Sequence, residues 1–236
     1  MILLAIDTAG VDCSAALYDS VAGRILSTVT ETIGKGHAER LMDVIDQALA
    51  EASLQLSSVD RIAVVVGPGS FTGIRVGVAA ARGLALALQI PCVGITTLET
   101  LSHQHKADTL DAGQPAVPVV VAMDAKRGEV YTQAFGDDGM PLTQPAALLP
   151  EDVDELARSL SATVIGSWAH PNLQGQFAED HPEFAGRDRF DIGTVARIGA
   201  SMPQTADRPK PLYLRGPDAK PQTGFALERK AAFTAP

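Results

Sequence analysis

Apolar and polar positions alternate along this chain with two periods, and the changes of period mark its elements. Short apolar or β-branched runs at 2–6, 62–66, 92–95 and 119–124 read as strands, with Val64, Val65 and Val66 in a buried one. Residues 14–18 and 24–32 supply two more strands after the first. Leu41, Val44, Ile45, Ala48, Leu49 and Ala52 recur at three- and four-residue intervals, which predicts an amphipathic helix over 37–52. Proline-free apolar stretches predict a helix over 74–88 and another starting at 98–105. The remaining pattern gives a strand at 129–135, a helix at 152–161, a short strand at 162–166 and a last helix at 192–202. Three strands followed by alternating helices and strands fit an α/β fold with a mixed sheet whose first strands form a meander.

Two prolines and a glycine between apolar stretches place a domain boundary within 108–118. The expected organisation is a first domain over 1–107, a reduced second domain over 108–215 and a loose tail over 216–236, where prolines and charges multiply. The second half opens with an apolar strand ending at Asp124 and a hairpin. That echoes the strand ending at Asp7 and its return, so an internal duplication is expected.

The run Gly67-Pro68-Gly69-Ser70-Phe71-Thr72-Gly73-Ile74-Arg75 is the most informative local feature. A strand, a glycine turn and a helix can aim backbone N–H groups and a positive helix end at an anion. Gly67 and Gly69 permit backbone angles that a side chain forbids, and Ser70 and Thr72 can cap the following helix. The same pattern also serves as a plain tight turn. Arg75 has two readings, a contact to an anion or partner carboxylate and a salt bridge that closes the loop.

Composition narrows the classes. The 236 residues are 46 % hydrophobic and 20 % charged, the mix of an ordinary globule, with room for a sizeable core. A formal charge of −9 disfavours unassisted nucleic-acid binding, since phosphate contacts demand a basic face. Two cysteines, Cys13 and Cys92, are too few for a disulfide framework, and a reduced cytoplasmic protein is expected. Asp7 ends the first apolar run after six residues without a basic start, so a first strand is expected there, not a signal sequence. No stretch is expected to span a membrane.

Asp7-Thr8-Ala9 at the end of the first strand resembles the aspartate-led phosphate loop of the actin, sugar kinase and Hsp70 (ASKHA) superfamily; alternatively Asp7 only orders its own turn. Taken with Gly36-His37-Ala38-Glu39-Arg40-Leu41, the loop from Gly67 to Gly77, Asp124 to Tyr131, and Pro211-Leu212-Tyr213-Leu214-Arg215, the chain is similar to the TsaB (YeaZ) family. The resemblance is close over 1–101, clear again over 123–131 and thin elsewhere. It implies a two-domain ASKHA fold with a reduced second domain. It also implies a subunit that works in the biosynthesis of threonylcarbamoyladenosine on tRNA, beside TsaD and the ATPase TsaE.

TsaD carries two histidines four apart where this chain has Thr97 and Leu101, and neither side chain replaces an imidazole as a metal ligand. The resemblance therefore implies no catalytic residue, no metal and no cofactor of its own, with at most weak ATP or ADP binding at the joint with TsaD. It implies tRNA contact only through the complex, and a homodimer when the chain is alone. Asp7, Thr8, Gly67, Gly69, Ser70, Thr72 and Arg75 remain as a nucleotide-like loop.

Gly73, Gly77 and Ala81 fall four apart on the second helix, with Ala80 and Leu84 beside them. That helix is apolar nearly all round, which calls for a sheet on one side and a partner helix on the other. Together with Leu41, Val44, Ile45 and Ala48 of the first helix, these residues form the expected partner interface, although the first stripe alone also suits packing on the chain's own sheet. An alternative is a small ATP-binding kinase or hydrolase using Asp7 and the glycine loop. A metalloprotease fits less well, because the ligand pair is missing.

Overall fold

A computed structural model describes residues 1–168, 188–203 and 207–215. The expected tail at 216–236 lies outside the described residues.

The first lobe is built on β1 (Ile2–Asp7), β2 (Asp12–Asp19), β3 (Arg24–Thr32), β4 (Arg61–Gly67) and β5 (Cys92–Thr96), in the order β3-β2-β1-β4-β5. The first three strands are an antiparallel meander, while β4 and β5 run parallel to β1. The parallel strands are joined through helices, as parallel pairing requires. One such connection is α1 (His37–Glu51), followed by a short 3-10 turn at Leu56–Ser58; the other is α2 (Phe71–Leu88).

The second lobe repeats the scheme at smaller scale. Its strands β6 (Val119–Asp124), β7 (Val130–Phe135), β8 (Ala146–Leu148) and β9 (Thr163–Ile165) stand in the order β8-β7-β6-β9. The pairs β6–β7 and β7–β8 are antiparallel, and β9 is parallel to β6. The expected duplication is thus present in the pairing pattern.

Both sheets are covered on two faces, which explains why their central strands are apolar without alternation. In β4, Val64 points to Gly77 of α2, while its neighbour Ala63 points to Gly199 of α5 (Ile192–Ser201) on the opposite face. In β6, Val119, Val121 and Met123 join Leu98 and Leu101 of α3 (Thr97–Asp111). Val120 and Ala122 instead join Val153 and Ala157 of α4 (Pro150–Leu160).

The cover does not follow the expected division at 108. Helix α5, from the second half of the sequence, lies on the first sheet with Ile192, Val195, Ala196 and Ile198 in its core. Helix α3, from the first half, lies on the second sheet. It also runs to Asp111, past the expected boundary, because no glycine or proline interrupts it until Gly113 at φ +71°. The end of α5 is fixed by Arg61 on β4, whose Nη1 donates to the carbonyls of Gly199 (3.0 Å) and Met202 (2.7 Å). These are carbonyls near the helix end that otherwise need water or a cap.

Helix α2 corrects the expectation about membranes, since its 18 residues with mean hydropathy 1.4 are long and apolar enough to cross one. Its position against β4 and its two arginines, Arg75 and Arg82, fit a core helix of the first lobe. Close packing of α5 yields a test. A Cβ at Gly199 would sit 2.5 Å from the Cβ of Ala63 and 3.3 Å from Leu3. Gly199→Val should therefore lower stability by about 2 kcal/mol or more in urea unfolding, since overpacking a rigid sheet forces backbone shifts.

Candidate functional site

The glycine loop is folded onto the turn that follows β1. Ser70 N–H donates to the carbonyl of Ala9 at 2.6 Å, and Ile74 N–H to the carbonyl of Ser70 at 2.9 Å. The Ser70 hydroxyl caps α2 by accepting from Gly73 N–H at 3.2 Å, as expected, whereas Thr72 is exposed and does not supply the cap. From the other side, the Thr8 hydroxyl donates to the Gly73 carbonyl at 2.8 Å. Side chains at Gly69, Gly73 or Gly77 would collide with Ala9 or Thr8. Gly67 sits at φ +98°, where a side chain is strained. These glycines exist for close approach to another turn. The N–H groups of Ser70, Gly73 and Ile74, which the sequence offered to an anion, are engaged inside the protein.

Asp7 is buried at the centre of this packing. Its carboxylate accepts from Ala9 N–H at 2.8 Å. Burial pushes its carboxyl up to about 7; the Ala9 N–H opposes that, and the charge of Asp12 adds to it. Asp12 is held by a two-pronged contact from Arg189, with Nε to Oδ2 at 2.6 Å and Nη2 to Oδ1 at 2.7 Å. The turn after β1 is therefore neutralised from within the chain.

Thr97 and Leu101 face inward at the start of α3. The Thr97 hydroxyl donates to the Pro68 carbonyl at 2.7 Å and so holds the glycine loop from below, while Leu101 is part of the second lobe's core. Thr97 was legible only as an absent ligand. Its structural duty emerges from the fold.

The expected partner stripe is misplaced. Leu41, Val44, Ile45 and Ala48 are buried against the first sheet, and Gly73, Gly77 and Ala81 are buried against the Thr8 turn and β4. Ala80 and Leu84 are half-buried beside them. Small residues at four-residue spacing allow close approach, but the approaching body is the chain's own turn, not a second helix. The outer face of α2 carries Arg75, Ala79, Arg82, Gly83 and Leu86, with Leu86 64 % exposed. On α1 the outer face carries Met42, 45 % exposed, among Asp43, Asp46 and Gln47.

Among the described residues Arg75 forms no salt bridge, so it does not close the loop through an ion pair. Its guanidinium lies 3.6 Å from the Phe71 ring centroid, and its Nε donates to the Tyr213 hydroxyl at 2.7 Å. The Phe71 and Tyr213 rings are 5.5 Å apart. This cluster forms one wall of a cleft between the lobes, of about 840 Å³. The opposite wall is the β6–β7 turn with Lys126 and Arg127, and Tyr131 beside it. Arg215 braces that turn by donating to the carbonyls of Ala125 (2.8 Å) and Lys126 (2.6 Å), and it pairs with Glu129. The sequence carries one signal for this wall: two of the chain's three tyrosines, Tyr131 and Tyr213, stand near arginines in two of the stretches that carry the family resemblance.

Two lobes with repeated mixed sheets and a cleft between them define an α/β protein of the actin-like, ASKHA class. The family model described as TsaD, tRNA N6-adenosine threonylcarbamoyltransferase, matches residues 24–198. The tRNA threonylcarbamoyladenosine biosynthesis protein TsaB of Escherichia coli (strain K12) is 33 % identical over 181 residues, covering 73 % of this chain and 75 % of that protein. The chain belongs to the TsaB (YeaZ) family. An uncharacterized protein of Mycobacterium leprae is 36 % identical over 228 residues, which span 94 % of this chain but only 57 % of that protein. A solved structure described as an uncharacterized protein with similarity to peptidase YeaZ from Pseudomonas aeruginosa aligns with TM-score 0.64 at 31 % identity, covering 91 % and 99 % of the two chains.

Two measurements follow from the loop. The Asp7 carboxyl keeps its proton in the folded chain up to about pH 7 but loses it near 3.8 when unfolded. Stability contributed by the neutral form is therefore complete below 3.8 and is lost as pH rises towards 7. Asp7→Asn should match the parent in thermal melts at pH 3.5 and exceed it by about 2 kcal/mol above pH 7; identical pH profiles would refute the assignment. Thr97→Ala leaves the Pro68 carbonyl unpaired and should cost about 1 kcal/mol in urea unfolding.

Proposed function

We propose that this chain is a non-catalytic scaffold subunit in the biosynthesis of threonylcarbamoyladenosine on tRNA. In this reading it associates with a TsaD-type subunit and allows TsaE to join. The transferase chemistry, delivery of a threonylcarbamoyl group to adenosine in tRNA, belongs to the TsaD partner. The observation that carries the proposal is the match to E. coli TsaB over three quarters of that protein's length. The position of Thr97 adds support: where the resemblance puts a metal ligand in TsaD, this chain has a hydroxyl committed to the Pro68 carbonyl. The alternative of a kinase or hydrolase built on the glycine loop is disfavoured, because the Ser70, Gly73 and Ile74 N–H groups are already engaged.

The docking surface in this proposal is the outer face of α1 and α2, not the inward stripe. Leu86, Ala79 and Gly83 offer apolar and small side chains to a partner helix, and Met42 extends the surface on α1. A shallow apolar strip flanked by charges suits a reversible helix-to-helix contact. The same strip would serve the homodimer expected of the isolated chain.

The test is reconstitution with a TsaD homologue and TsaE, leaving out one component at a time and scoring modified nucleoside in tRNA. Activity is expected only when both this chain and TsaD are present; turnover by this chain alone would sink the scaffold role. Leu86→Asp should weaken co-elution with TsaD by about tenfold or more while leaving the melting temperature within a degree or two. Undiminished co-elution would move the interface elsewhere.

A further inference from the structure

The fastenings between the two lobes are unevenly placed. The chain leaves the first lobe directly after β5, where Thr96 ends the strand and Thr97 starts α3. Residues 209–215 cross near the same side of the first sheet. Pro209 lies beside Gly94 of β5, and Leu212 N–H donates to the Val66 carbonyl of β4 at 2.8 Å. Arg215 then ends the crossing on the β6–β7 turn. Both crossings therefore hang on the β4–β5 edge. With the strands in the order β3-β2-β1-β4-β5, the β2–β3 edge lies on the far side.

Residues 188–191 fasten that far edge. Asp188 accepts from Ser167 N–H at 2.8 Å, and the Ser167 hydroxyl accepts from Asp124 N–H at 2.9 Å, which ties the segment to the end of β6 in the second lobe. The next residue, Arg189, reaches into the first lobe. Its fork grips Asp12 at the start of β2, and its Nη2 also donates to the Thr32 hydroxyl at the end of β3, at 2.8 Å. Phe190 packs against the cores of both lobes. The Arg189 side chain is 47 % exposed and that of Asp12 12 %. A two-pronged pair with this exposure is directional enough to order a seam, yet water and salt still reach it.

We propose that Arg189 is a latch that sets the angle between the lobes. The axis is the β4–β5 edge, where both other crossings attach. Neighbouring strands stand about 4.8 Å apart, so β2 lies about 14 Å and β3 about 19 Å from β5. A rotation of about 20° around that axis carries β2 through about 5 Å. The grip on Asp12 and Thr32 thus acts at the end of a long lever, where one ion pair opposes rotation most effectively. With the latch shut, the lobes move as one body. Once it is released, they turn on the β4–β5 side. The latch does not depend on the scaffold reading, since both lobes and the seam belong to this chain.

Pulsed electron–electron resonance on the full chain tests this, with spin labels at Thr30→Cys on β3 and Glu155→Cys on α4, both exposed positions. Cys92→Ala removes the half-buried thiol, and Cys13 is fully buried. Arg189→Gln and Asp12→Asn should each shift the mean distance by about 5 Å or widen its distribution about twofold. Arg189→Lys keeps the charge but loses the fork, and should fall between them and the parent. Tyr213→Phe, on the axis side, should leave the distribution as it is. A second label pair inside the first lobe, Thr30→Cys with Gln47→Cys on α1, should not change in any variant. Circular dichroism establishes that each variant is folded, and Arg189→Lys serves if Arg189→Gln is not. An unchanged distance between the lobes in both Arg189→Gln and Asp12→Asn overturns the proposal. So does equal widening in Tyr213→Phe, or widening within the first lobe, which would make the contact a brace of the β2–β3 edge alone.

Discussion

The contact on which the first lobe depends is that between the turn after β1 and the glycine-bearing start of α2. Thr8 reaches the Gly73 carbonyl, and Ala9 receives the Ser70 N–H. Gly69, Gly73 and Gly77 leave room for that turn. Each is a place where even a methyl group collides with the neighbouring turn. Hydrogen bonds and steric fit thus specify the same approach, and Thr97 locks the loop from beneath. The nucleotide-like appearance of the loop in sequence is a by-product of this packing. Glycines that would let a phosphate approach also let a peptide backbone approach.

Much of the fold was legible. Uninterrupted β-branched runs gave the central strands, and the three-to-four spacing of Leu41 to Leu49 gave α1 with its buried face. The meander and the echo between halves both survive as sheet topology. The short edge strand β8 and the 3-10 turn were not legible. Three half-buried residues, Ala146–Leu148, carry no periodic signal, and a single turn at Leu56–Ser58 carries less.

The direction of α2 was the larger failure, and its reason is physical. A helix apolar nearly all round does not mark which side meets the sheet. Its small residues then suggested a helix as the neighbour, where the true neighbour is a turn. The cation and aromatic wall was equally hidden, because Arg75 and Tyr213 become neighbours only after the chain has closed on itself. Long-range pairs of that kind leave no local pattern. Family likeness over 211–215 pointed at the segment without saying what it touches.

The exchange of covering helices has a consequence for where the chain can be divided. All five strands of the first sheet precede residue 97 in sequence, yet one of its faces is covered by α5, whose last residue is Ser201. Leu3, Ala63 and Ile95 meet that helix at Gly199. The amino-terminal half by itself therefore lacks one covering layer of its own sheet, which only the later part of the chain supplies.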